Sequence, residues 1–148
     1  MDGLFFVDSN LLLYRRDRGE TTKQPLAAAW LAALWQTRRG RLSVQVLEEF
    51  YHVATHRLRP GLPPAEAQEE VRELFTWQPL PITPPLITTA WAIEGRYGFS
   101  FWDSLIVAAA QRTGCLYLLT EDLQGDQELD GVRVLNPFDH PPEAFGLR

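Results

Sequence analysis

Three short apolar stretches constrain this chain more than any other feature: LFFV at 4–7, CLYLLT at 115–120 and the VRVL of GVRVLNPF at 131–138. LFFV is too brief for a buried helix, and its continuous apolar character suits a central strand covered on both faces. CLYLLT reads the same way, and GVRVLNPF supplies a last short strand. Between them lie segments with helical signals. Strands alternating with helices imply an α/β fold with a mainly parallel central sheet and right-handed crossovers. A length of 148 residues suits one domain over 1–148, with its core at about 4–138 and a short Pro-rich tail.

The helical segments are marked by their ends. Pro25 opens PLAAAWLAALWQTRR, which Gly40 closes. Ser43 caps VQVLEEFYHVATHRL, whose Leu47, Phe50, Tyr51 and Ala54 share one face. Pro64 lies near the start of the next helix, and its glutamates read as a solvent face. ITPPL breaks the chain before a helix holding Thr89, Trp91 and Ile93, ended by Gly95, Tyr97 and Gly98. Ser100 then starts SFWDSLIVAAA, with Gly114 as its C-cap. RLS and QPLPI are short strands at most.

Acids stand at the ends of these elements. Asp8 follows the first apolar run and Glu121–Asp122 follow CLYLLT, at carboxyl ends of strands, where open parallel sheets bind ligands. Asp8, Ser9 or Asn10 would equally serve as a helix cap, and Asp122 as a turn residue. Asp103 has the capping-box spacing to Ser100, an alternative reading of its role. Glu48 and Glu49 flank the apolar face of their helix, and periodicity does not choose between them. His52 and His56 are one turn apart, but without a glutamate after the first histidine they are a weak zinc signal and read as surface or substrate-side residues. Several carboxylates gathered at one sheet edge repel unless a cation joins them, and an oxygen-rich set without cysteine suits magnesium or manganese.

Charge distribution supports the same chemistry. Residues 15–59 hold nine Lys or Arg against four acids, whereas residues 60–148 hold five against thirteen. A basic flank beside an acidic pocket would attract a phosphate backbone while holding a metal. On charge alone, Arg15, Arg16 and Arg18 are candidates to hold backbone phosphates. The lone Cys115 excludes an intrachain disulfide. No signal peptide is read, and no apolar stretch approaches the roughly 20 residues needed to cross a bilayer. A cytoplasmic protein without membrane partners is expected.

In FFVDSNLLLY, SVQVLEEFYHVAT, FSFWDSLIVAAAQRTGC and LLTEDLQ with the closing GVRVLNPF, the chain resembles the PIN-domain nucleases, specifically the toxin ribonucleases of VapBC-type toxin–antitoxin pairs. The four segments span residues 5–138 in the family's order. The resemblance implies a PIN-like three-layer α/β/α fold and a metal-dependent endoribonuclease hydrolysing RNA by a metal-activated water. It selects Glu49, which directly precedes the aromatic Phe50, and Asp122, which stands two residues after Thr120. The implied catalytic set is therefore Asp8, Glu49, Asp103 and Asp122, with Asp8, Asp103 and Asp122 on Mg2+ or Mn2+. Ser9, Asn10 and Thr120 would aim those carboxylates, and the phosphates held by Arg15, Arg16 and Arg18 would be those of RNA. Where the subgroup often carries His-Gly, this chain has Gly125–Asp126, and Asp126 would either join the site or sit in a turn. A homodimer and a cognate antitoxin are further implications. The competing expectation is a catalytically silent PIN fold that binds RNA or protein.

Overall fold

Phe5, Phe6 and Val7 form strand β1 and are all fully buried. Successive strand side chains point to opposite faces, so both faces of the sheet are covered by other elements. Each such side chain contributes roughly 2 kcal/mol by leaving water. The structure, a computed structural model, describes residues 3–147.

After β1 come α1 (Ser9–Arg16), α2 (Lys23–Thr37), β2 (Gly40–Arg41), α3 (Val44–His56), α4 (Pro64–Leu74), α5 (Pro84–Tyr97) and α6 (Phe101–Arg112). Then follow β3 (Tyr117–Leu119), β4 (Glu128–Leu129) and β5 (Val132–Leu135). The sheet order is β2-β1-β3-β5-β4, parallel throughout except for the β4–β5 pair. This is the α/β fold with a mainly parallel sheet that the alternating runs predict, consistent with the PIN-like fold that the resemblance implies.

The order matters for function. From β1 the chain crosses to β2 on one side, and the later crossover returns it to β3 on the other. A crevice opens outside the carboxyl ends of β1 and β3, where the two connections diverge. Register sets what meets there: Val7 pairs with Leu119, so Asp8 and Thr120 emerge side by side.

The helices form for readable reasons. Ser43 Oγ accepts from Val46 N–H at 3.4 Å, and α3 buries Val46, Leu47, Phe50 and Ala54 along one stripe. Ser100 Oγ accepts from Asp103 N–H at 3.1 Å, and α6 buries Ser104 through Ala110 without a break, packed against α5. Gly98 turns the chain between these two helices with φ of 75°, a conformation glycine adopts without a Cβ clash.

Several local expectations are corrected. Helix α2 begins at Lys23, before Pro25, and ends at Arg38, which takes the left-handed conformation (φ 61°) in place of Gly40. Gly40 serves packing instead: a Cβ there would lie 2.5 Å from the Trp77 ring. QPLPI gives only the single bridge Ser43–Leu80. Strand β4 was not anticipated, because two residues carry no periodic signal. Nor is the Pro-rich tail a loose end. Trp30 Nε1 donates to the carbonyls of Pro137 (2.8 Å) and His140 (2.9 Å). Phe145 packs on Phe5, Trp30 and Tyr117, and Leu147 is fully buried.

Candidate active site

Asp8 leaves the end of β1 and caps α1. Its Oδ1 accepts from Ser9 N–H at 2.7 Å, and its Oδ2 accepts from the Thr120 hydroxyl at 2.9 Å. Capping and site placement therefore coincide in one residue. Only 6% of Asp8 is exposed, and desolvation pushes its pKa up to about 7 despite those two hydrogen bonds. The charges of Glu49 and Asp122 push it the same way.

Glu49 reaches the same place from α3. It accepts from Ser9 Oγ (3.2 Å) and from Gln45 Nε2 (3.3 Å), one helical turn back. Its pKa is raised, chiefly by burial, with Asp103 and Asp122 contributing. Glu48 also lines the cleft but is exposed, so Glu49 is the glutamate tied into the site. Asp103 comes from the first turn of α6. Its pKa is raised by burial first, opposed by the Ser100 hydroxyl and reinforced by Asp122. Only half of the expected capping box forms: Ser100 accepts from Asp103 N–H, with no reciprocal bond to the Ser100 backbone.

Asp122 follows β3 and is exposed to the cleft. Asn10 Nδ2 donates to Asp122 Oδ2 and to Thr120 Oγ, both at 3.2 Å, and Asp122 N–H donates to Thr120 Oγ at 3.1 Å. Ser9, Asn10 and Thr120 thus each touch one or two of the acids. Neighbouring Glu121 turns away, accepting from Tyr14 (2.5 Å) and Lys23 (2.7 Å). Asp126 is exposed in a left-handed turn (φ 65°), its N–H on the Val134 carbonyl, and does not line the cleft.

The four acids line one open cleft of about 710 Å³, together with Gln45, His52, Val53, Arg57, Trp102 and Ile106 among others. As the side chains stand, no group of three or more His, Cys, Asp or Glu among the described residues is arranged to hold a metal ion. Both oxygens of Asp8 and both of Glu49 are engaged by protein donors, and mutual repulsion favours that separation. The donor set nevertheless fits a hard divalent cation: carboxylate oxygens only, three of them with raised pKa values that a positive charge would lower. Asn10 Oδ1 and Gln45 Oε1, buried beside these carboxylates, lack a hydrogen-bond partner.

The arginines differ from expectation. Arg15 and Arg16 bind Glu70, at 2.6 and 2.5 Å, and Arg16 also binds Glu66 at 3.1 Å. Glu70 is 2% exposed and belongs to the run read as a solvent face. A buried carboxylate needs paired cations, which explains why these two side chains turn to α4 rather than the cleft. Arg18 is exposed and does not line the cleft either. Arg57, which no sequence pattern singled out, is the arginine that does line it, as His52 also does. Trp102 was also missed. Its signal was adjacency to Asp103 on a helix whose buried face begins two residues later.

The fold has solved counterparts. VapC20 of Mycobacterium tuberculosis, described as a sarcin-ricin loop cleaving toxin, matches with TM-score 0.62 at 22% identity, over 80% of this chain and 91% of that one. FitAB bound to an IR36 DNA fragment matches with TM-score 0.68 at 18% identity, over 91% and 96%. VapBC2 from Rickettsia felis, bound to a DNA fragment from its promoter, matches with TM-score 0.57 at 11% identity, over 88% and 96%. At these identities the likeness is one of fold. A comparison with curated protein sequences gives no match. The PIN domain family model matches residues 5–127, most of the chain and all four acids, and the chain therefore belongs to the PIN-domain family.

Proposed function

We propose that this protein is a metal-dependent endoribonuclease and the toxin of a toxin–antitoxin pair. The observation that carries the reading is the meeting of Asp8, Glu49, Asp103 and Asp122 along one cleft at the switch point of a PIN-family sheet. Structural likeness to VapC20, FitAB and VapBC2 supports the toxin part of it.

Asp8, Asp103 and Asp122 would hold magnesium or manganese, with Glu49 positioned for a second ion or for the attacking water. When bound, a divalent ion would supply Lewis acidity, easing loss of a proton from the attacking water near neutral pH and offsetting negative charge on the reacting phosphate. The chain's own residues do the rest. Thr120 and Ser9 N–H fix the Asp8 carboxylate, Asn10 fixes Asp122, and Ser9 Oγ with Gln45 fixes Glu49. Arg57 lies where it can anchor a phosphate of the bound strand. The partners under this reading are an RNA substrate, a cognate antitoxin covering the cleft, and a second copy of the chain, acting in the cytoplasm.

Expression of the chain in a bacterial host should arrest growth, and co-expression of the neighbouring gene's product should relieve the arrest. Purified protein should cut RNA, and Asp8→Asn should not. Wild-type protein that binds RNA and never cuts it would support the silent-module reading instead.

A further inference from the structure

We infer that Trp102 is a stacking platform for an unpaired base beside the scissile bond, an inference that rests on the ribonuclease reading of the cleft. Trp102 lies in the first turn of α6, one residue before Asp103, and lines the acidic cleft while 62% exposed. An indole left in water contributes little to folding, so its worth has to come from what it meets. Its position is fixed from two sides. The ring packs edge-to-face on Phe101 with centroids 5.1 Å apart, and its backbone carbonyl accepts from Gln45 Nε2 at 3.2 Å. Gln45 also holds Glu49, so one amide ties the indole's backbone to a site carboxylate.

The cleft offers both chemistries that a nucleic-acid strand needs. Its lining includes the largely exposed indole of Trp102 with the apolar Val53 and Ile106, and Arg57 and His52 provide nitrogen groups able to donate to phosphate. These two residues favour an anionic strand over a second copy of the chain as the occupant. A base inside a duplex has both faces covered, so the base engaged here belongs to a single strand or a loop. Stacking on an aromatic side chain tolerates every base and is worth about ten- to hundredfold in affinity. Trp102 therefore sets which structures are cut more than which letters.

The test uses a short labelled single-stranded RNA in magnesium, and copies of it with one abasic ribose stepped along the strand. Trp102→Ala should raise KM by about tenfold or more while kcat stays within about threefold, and Trp102→Phe should restore most of the loss. One abasic position flanking the cut should weaken the wild type and make no further difference to Trp102→Ala. An unchanged KM, or abasic losses that simply add to the variant's loss, would overturn the platform. So would a loss confined to kcat together with a shift from dimer to monomer on gel filtration, which assigns Trp102 to a second copy. If the wild type cuts nothing, the ribonuclease reading falls on its own. Anisotropy with the same RNAs still decides the platform, and equal affinity of wild type and Trp102→Ala overturns it.

Discussion

Asp8 ends a strand, caps a helix and stands almost wholly out of water, and these demands act on its proton together. Folding raises its pKa from 3.8 to about 7. The folded state thus favours the protonated carboxyl. The stability this contributes is complete below about pH 4 and is lost as pH rises through 7. Without divalent ions, the loss is on the order of 4 kcal/mol at most. Urea melts in EDTA should therefore show Asp8→Asn gaining on the wild type between pH 5 and pH 8. A constant difference across that range would contradict the raised pKa. The raised pKa values of Glu49 and Asp103 act with the same sign and remain in the variant. Asp8 and Asp103 were legible because chain position alone nominates the end of a strand or the start of a helix, whereas position left Asp122 level with Glu121, which Tyr14 and Lys23 draw away in space. Glu49 was not separable from Glu48 by periodicity, since the choice depends on Ser9 and Gln45 approaching from either side in space. Arg57 gave no such signal, because exposed side chains leave none in a hydrophobic pattern, and Trp102 offered only its adjacency to Asp103.

The elements were easier to see than their edges. Capping serines set the starts of α3 and α6, whereas α2 gains two residues before Pro25 and ends on an arginine at positive φ. The larger misreading concerns α4. A run of glutamates looks like a solvated face, yet Glu70 turns inward to join α1 through Arg15 and Arg16. No local pattern reports a partner some 54 residues away. Removing either side of this junction should have unequal effects. Glu70→Ala leaves two partly exposed arginines that water can recover, and should cost about 2 kcal/mol in a urea melt. The double change Arg15→Ala and Arg16→Ala strands a buried carboxylate and should cost more, about 3 kcal/mol or above. Equal losses would mean that Glu70 is solvated after all. RNA cleavage by Glu70→Ala, assayed below its melting temperature, should stay within about threefold of wild type, as none of these residues touches the cleft.

At the level of the whole molecule, the α/β class followed from the alternation of strands and helices, but the sheet order did not. Placing β3 beside β1 rather than beyond β2 is a long-range choice, made where Val7 meets Leu119. That choice brings Asp8 and Asp122 to one crevice, and the interval from 44 to 112 must fold back over it to deliver Glu49 and Asp103. The same whole-chain packing draws the tail into the core, where Phe145 packs on Phe5 and Trp30 and Leu147 is fully buried. A cation that joins the carboxylates should relieve their repulsion. Manganese should accordingly raise the Tm of the wild type at pH 8, by several degrees at millimolar concentration, and much less for Asp8→Asn. An equal rise in both would place the ion elsewhere.

The most direct test is cleavage of end-labelled RNA by wild type, Asp8→Asn and Asp103→Asn, in EDTA and in magnesium or manganese, with the product ends identified. The account predicts cutting by the wild type alone, only with the divalent ion, leaving 5′-phosphate and 3′-hydroxyl ends. Undiminished cutting in EDTA, or a 2′,3′-cyclic phosphate from attack by the RNA's own 2′-hydroxyl, would contradict it.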